Sequence, residues 1–152
     1  MLVATSLVLA LLLQIYPLRG ELALWRPPFP LLVVLYWVLA APALFGVGLA
    51  WSVGLLADLL LDGIPGQSAL AYGLCAYMVR SLDQRLQYLS LIHLAGVTGL
   101  LVLLYQLVVV SIELLLRGDL TVNPLLFASA LSATALWPFI AMALGALHDP
   151  YW

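Results

Sequence analysis

From Phe29 to Leu61 the chain carries a single charged residue, Asp58. A helix made of all roughly 33 of those residues would extend about 50 Å, well past the ~30 Å hydrocarbon core of a bilayer. The run therefore predicts two apolar helices, broken between Pro42 and Gly48, where proline and glycine interrupt helical geometry. The rest of the chain has the same character: 66% of the 152 residues are hydrophobic and only 8% are charged. Lipid is the main solvent for such a composition. At about 20 apolar residues per span, the length allows five or six spans and leaves no room for a second, water-soluble domain.

The expected fold is an all-α integral membrane protein, a single domain over 1–152 with six helices near 2–16, 29–41, 43–61, 66–80, 91–116 and 124–147. Pro17, Arg19 and Gly20 close the first segment. That segment has neither the basic n-region nor the small-residue cleavage site of a signal peptide, so it is read as a permanent helix. Asp62, Gly63, Pro65 and Gly66 form a tight turn, and Arg80, Asp83 and Arg85 mark a polar interface. Glu113 and Arg117 can pair at i,i+4 near the end of the fifth span. Asn123 before Pro124 reads as an N-cap with proline at the first helical position. Trp137-Pro138 predicts a kink inside the last helix. Arg80 and Arg85 fall on the side of both termini, against Arg19, Arg26 and Arg117 on the other, a balance that leaves orientation open.

The residue inventory argues against catalysis. The chain has no lysine, and its five arginines are scattered, which excludes a Schiff-base lysine, a phosphate-loop lysine and a basic patch for nucleic acid. Cys75 is the sole cysteine, and His93 and His148 lie too far apart for metal-ligand spacing. No nucleophile sits beside a base in a known pattern, and no cofactor or metal is implied.

The informative residues lie on the third and fourth helices. Gly46, Ala50, Gly54, Asp58 and Asp62 recur at every fourth position, and Gly66, Ala69, Gly73 and Ala76 form a second seam ending at Arg80. Small residues at such spacing let another backbone approach closely. The tight turn between the helices lets the two seams face each other, although either could instead accept a partner helix. An ionisable group at the depth of Asp58 needs a partner or water. Asp58 is therefore read in three ways: hydrogen-bonded to a neighbouring helix or to the Gly63–Gly66 turn, carrying a proton or substrate, or touching a partner protein. Gln106 and Glu113 share a face of the fifth span, where they hydrogen-bond across helices or line a polar path with His93.

Arg26-Pro27, the run Leu31 to Ala41 with Leu35-Tyr36-Trp37, Pro42, the Gly54-to-Asp58 element and Gly66-Gln67 occur in an order that resembles the bacterial MreD family of rod shape-determining proteins. Trp137-Pro138 resembles that family's closing segment. The resemblance implies a non-enzymatic, six-helix inner-membrane scaffold of the cell-wall elongation machinery. Its implied partners are MreC above all, with the actin-like MreB, the synthase RodA and its transpeptidase as members of the complex. It also implies cytoplasmic termini, with Arg26, Asp58 and Asp62 toward the periplasmic half, where an Asp58–Arg26 ion pair is geometrically possible. In helix arrangement the family is similar to the substrate-binding components of vitamin importers. The rival expectation is accordingly a small-molecule-binding subunit of a membrane transporter, with a polar cavity around Asp58, Gln106 and Glu113.

Overall fold

A computed structural model describes residues 1–16, 19, 28–41, 44–60, 64–86, 88–118 and 128–147, apart from the side chains of Asp83, Arg117 and Leu147. The regular elements among these residues are all helices: α1 (Leu2–Ile15), α2 (Phe29–Ala40), α3 (Val47–Leu60), α4 (Gln67–Ser81), α5 (Asp83–Leu86), α6 (Leu91–Arg117) and α7 (Ala128–Leu147). Two of them, over Leu91–Leu116 and Ala128–Ala146, are long and apolar enough to cross a membrane, while α1, α2 and α3 are shorter apolar helices.

The bundle is organised around α2. Its sequence is apolar on every face, the pattern of a helix surrounded by others. Leu31, Leu32, Val34, Leu35, Trp37 and Val38 are all buried, and α2 packs against α1, α3, α4, α6 and α7. Its start is tied to α1, where Gln14 Oε1 accepts the Phe29 N–H at 3.3 Å and so satisfies a donor that no helical carbonyl can reach. The Trp37 Nε1–H donates to Ser6 Oγ at 2.9 Å. α1 is otherwise lightly packed, with Ala10 its only fully buried residue.

The structure moves one expected boundary. The third helix begins at Val47, not at residue 43. Leu44 and Phe45 both donate their N–H groups to the Ala41 carbonyl at 3.0 Å, forming a turn. The buried Phe45 ring then stacks on Trp37 with centroids 6.0 Å apart. Continuing the helix backward through this segment would carry Phe45 away from that stack. The short α5 was also not anticipated; the buried Leu86 anchors it.

α6 and α7 form the second close pair. Cβ added at Gly99 would run into the Thr134 hydroxyl, and that hydroxyl donates to the Ala130 carbonyl at 2.8 Å. One further contact joins the pair where Gln106 Nε2 donates to Ser129 Oγ in a close hydrogen bond. Gly99→Ala is expected to lower the thermal unfolding midpoint in detergent, by roughly 1–3 kcal/mol of overpacking. Adding Thr134→Ala, which removes the obstructing oxygen, should restore most of the loss. An unrelieved double variant would mean that the crossing depends on something other than this contact. Pro138 lies inside α7 and cannot donate to the Thr134 carbonyl, while the neighbouring Trp137 is fully buried in the core.

The outer surface is apolar on several helices. Val8, Leu9 and Leu12 on α1, Leu56 and Leu59 on α3, Leu70 and Leu74 on α4, and Leu115 and Phe139 on α6 and α7 are all exposed. Contiguous apolar surface of this kind is not left in water by soluble monomers.

Candidate functional site

α3 and α4 meet at a polar point where Asp58 faces the start of α4. α4 starts at Gln67, preceded by Gly66 at φ +91°, a left-handed conformation that glycine adopts without strain. Glycine offers no side chain to cap the helix, and the first turn leaves its N–H groups without helical acceptors. Every one of them finds another partner. The Gln67 N–H donates to the Ile64 carbonyl at 3.1 Å, and the helical ladder itself begins with the Leu70 N–H on the Gly66 carbonyl at 2.9 Å. The Asp58 carboxylate accepts the rest: Gly66 N–H at 3.1 Å, Ser68 N–H at 2.9 Å and, at a longer 3.4 Å, Ala69 N–H. Asp58 thus caps the next helix from the end of the preceding one, and only 4% of it is exposed. A carboxylate at the positive end of a helix dipole is favourably placed.

Gly54 makes that reach possible. It sits one turn before Asp58 on the same face of α3. Cβ added there would lie 2.6 Å from both Ala69 Cα and the Ser68 carbonyl oxygen and 2.8 Å from Ala69 N. The α4 backbone therefore rests directly on the glycine. Small residues continue the seam: Ala50, Ala57, Ala69 and Ala76 are buried. Cβ at Gly73 would make ordinary contact with Val47 and Trp51 at 3.7–4.0 Å, and Cβ at Gly46, just before α3, would stand 3.2 Å from an Arg80 guanidinium nitrogen. The two seams are thus turned toward each other along the length of α3 and α4, and a third helix cannot occupy them. Tyr105 of α6 lies beside Ser68, and its ring is 5.7 Å from that of Tyr72, which brings α6 against the start of α4.

Arg26 and Asp62 lie outside the described residues, as do the proposed Asp58–Arg26 ion pair, the Asn123-Pro124 helix start and the Arg117 side chain. Gln106 is engaged by Ser129 on α7. His93 Nδ1 pairs with Ser90 Oγ at 2.7 Å at the start of α6. Among the described residues no group of three or more His, Cys, Asp or Glu gathers as metal ligands would. A cavity of about 150 Å³ lies between α1, α2 and α7 beside Ser6, Trp37 and Leu144. A groove of about 380 Å³ lies between α6 and α7. Neither is lined by Asp58, Gln106 or Glu113.

Sequence reasoning missed the Gly99–Thr134 crossing and the Ser6–Trp37 bond. Gly99 and Gly96 look alike in the sequence, and nothing local distinguishes the crowded glycine from the open one. Ser6, one of the few polar residues in the first helix, was the available signal for the bond to Trp37, because a hydroxyl on a largely apolar helix calls for a partner.

A bundle with an apolar outer surface, whose buried polar groups join one helix to the next, belongs to the class of helical membrane proteins. Residues 1–146 match the family described as rod shape-determining protein MreD, and the chain belongs to that family. It is similar to the rod shape-determining protein MreD of Haemophilus influenzae, with 27% identity over 137 residues, covering 90% of this chain and 84% of the relative. No solved structure matches the chain, so the expected likeness to vitamin-importer components supports nothing further.

Proposed function

We propose that this protein is a non-enzymatic scaffold of the cell-wall elongation machinery in the bacterial inner membrane. In this reading α1–α4, α6 and α7 are the six spans of one membrane domain, α5 lies at the interface, and the termini are cytoplasmic. The observation that carries the scaffold reading is where the buried polar groups go. Asp58, Gln106 and Ser6 are each spent on a neighbouring helix, and neither Asp58 nor Gln106 lines the cavity beside α1 or the groove between α6 and α7. Family membership over nearly the whole chain supplies the role in rod shape.

MreC is the principal partner in this reading, with MreB, RodA and the elongation transpeptidase as members of the same complex and membrane lipid around them. Because the seams of α3 and α4 face each other, a partner helix docks on an outward face. The test is to purify the tagged chain from native membranes and identify co-purifying proteins and small molecules by mass spectrometry. Recovery of MreC and the wall synthases, together with loss of rod shape on depletion, is the expected result. A tightly retained small molecule without those partners would overturn the scaffold in favour of a transporter subunit, and turnover of a lipid-linked substrate would overturn it in favour of an enzyme.

A further inference from the structure

We propose that Arg80 and Arg85 form a binding site for the headgroup of an anionic phospholipid; the inference rests on the membrane-spanning reading of the bundle. Arg80 lies in the last turn of α4, where it ends the seam of small residues that packs on α3. Its guanidinium lies over the start of α3, since Cβ added at Gly46 would stand 3.2 Å from Arg80 Nη1. From there the chain passes almost without a break into α5. The Leu82 N–H donates to the Met78 and Val79 carbonyls, and the Leu82 carbonyl accepts the Arg85 and Leu86 N–H groups. Buried Leu86 fixes this segment to the core. Arg85 therefore follows Arg80 by little more than one helical turn, and both stand at the same end of the bundle, the cytoplasmic side in the proposed topology.

Neither charge is neutralised within the bundle. Both arginines are exposed, and among the described residues neither makes an ion pair or a side-chain hydrogen bond. α3 has no acidic residue in its first turn, and between Asp62 and Glu113 the sequence sets one carboxylate, Asp83, against these two arginines. The complement of this end is an anion, and guanidinium groups match phosphate oxygens in geometry as well as charge. The surroundings decide which anion. Trp51 on α3 and Leu74 and Tyr77 on α4 are exposed along the outer surface that leads to Arg80, and beyond α5 Tyr88 and Ile92 are 91% and 81% exposed. A soluble phosphate or an acidic peptide would satisfy the arginines and leave this apolar surface bare. An anionic phospholipid covers both, with its phosphate on the arginines, its chains on the apolar side chains, and Tyr88 at the headgroup level where tyrosines anchor membrane proteins.

The full chain is reconstituted at low salt in phosphatidylcholine vesicles that carry a trace of phosphatidylglycerol or phosphatidylcholine spin-labelled near the end of one acyl chain. Electron paramagnetic resonance then measures the fraction of each lipid whose motion the protein restricts. Phosphatidylglycerol is expected to be favoured severalfold over phosphatidylcholine. Arg80→Gln and Arg85→Gln should each reduce that preference, and the double variant should bring it to the phosphatidylcholine level with an unchanged unfolding midpoint. Arg19→Gln, at another exposed arginine on the opposite side in the proposed topology, should leave it intact. Equal restriction of the two lipids overturns the proposal, as does a preference that survives the double variant or falls as much in Arg19→Gln. If the preference is absent and inorganic phosphate or a poly-glutamate peptide instead binds the wild type but not the double variant, the anion is a soluble phosphate or an acidic protein segment, and the lipid site is overturned. If neither spin-labelled lipid is restricted at all, the membrane-spanning reading has failed and the proposal with it.

Discussion

Asp58→Ala strips the first turn of α4 of its acceptor, and a loss of about 3 kcal/mol or more is expected, since each buried N–H left unpaired costs about 1–3 kcal/mol. Three N–H groups, those of Gly66, Ser68 and Ala69, converge on this carboxylate. Asp58 is only 4% exposed, so water has little access to these N–H groups. Asp58→Asn separates the hydrogen bonds from the charge. One oxygen of Asp58 accepts all three N–H groups, and the other receives only a second, longer approach from Ser68 at 3.1 Å. An amide oxygen can take over the first set, so the asparagine variant should lose only the charge-assisted part, about 1 kcal/mol. The expected order in thermal unfolding in detergent is wild type, then Asp58→Asn, then Asp58→Ala far below. If Asp58→Ala proved as stable as the wild type, the carboxylate would not be holding the turn. If Asp58→Asn kept its stability but abolished rod shape in cells, the charge would have a duty beyond packing.

Much of this site was legible in the sequence because its logic is periodic. Gly54 and Asp58 share a helix face by spacing alone, and the Asp62–Gly66 cluster announces a turn short enough to bring α4 back alongside α3. The atoms that Asp58 meets were not legible. They are backbone N–H groups, which every residue carries, and only the turn geometry decides which of them point at the carboxylate. The facing seams followed from the same spacing, but their depth of contact did not: Gly54 and Gly73 both lie on the seams, yet the first touches backbone and the second makes loose contact. The central place of α2 was implicit in its uniformly apolar sequence, although which helices surround it depends on long-range packing. The start of α3 was misplaced because Phe45 leaves the helical path to stack on Trp37, a contact between residues eight apart that no local propensity encodes.

Gly54→Ala sets the usual effect of alanine in a helix against the close approach of α4. On propensity alone, replacing a helical glycine with alanine gains up to about 1 kcal/mol. At Gly54 the new carbon would sit 2.6 Å from Ala69 Cα and the Ser68 oxygen, and both are backbone atoms that cannot rotate aside. Overpacking of this kind costs roughly 1–3 kcal/mol, so the variant is expected to be destabilised, with Gly54→Leu worse. Gly48→Ala should be neutral or stabilising, and Gly73→Ala, with its nearest neighbour 3.7 Å away, should be tolerated. The only relief open to the chain in Gly54→Ala is to push the start of α4 outward, and that motion lengthens the bonds to Asp58. The two residues therefore form one device, in which glycine admits the helix end and aspartate holds it. Coupling follows: Gly54→Ala combined with Asp58→Ala should cost clearly less than the sum of the single changes, because the first has already spent part of what the second removes. Unfolding midpoints of the four proteins, measured in one detergent, decide the matter. Strict additivity would show that close approach and capping act independently.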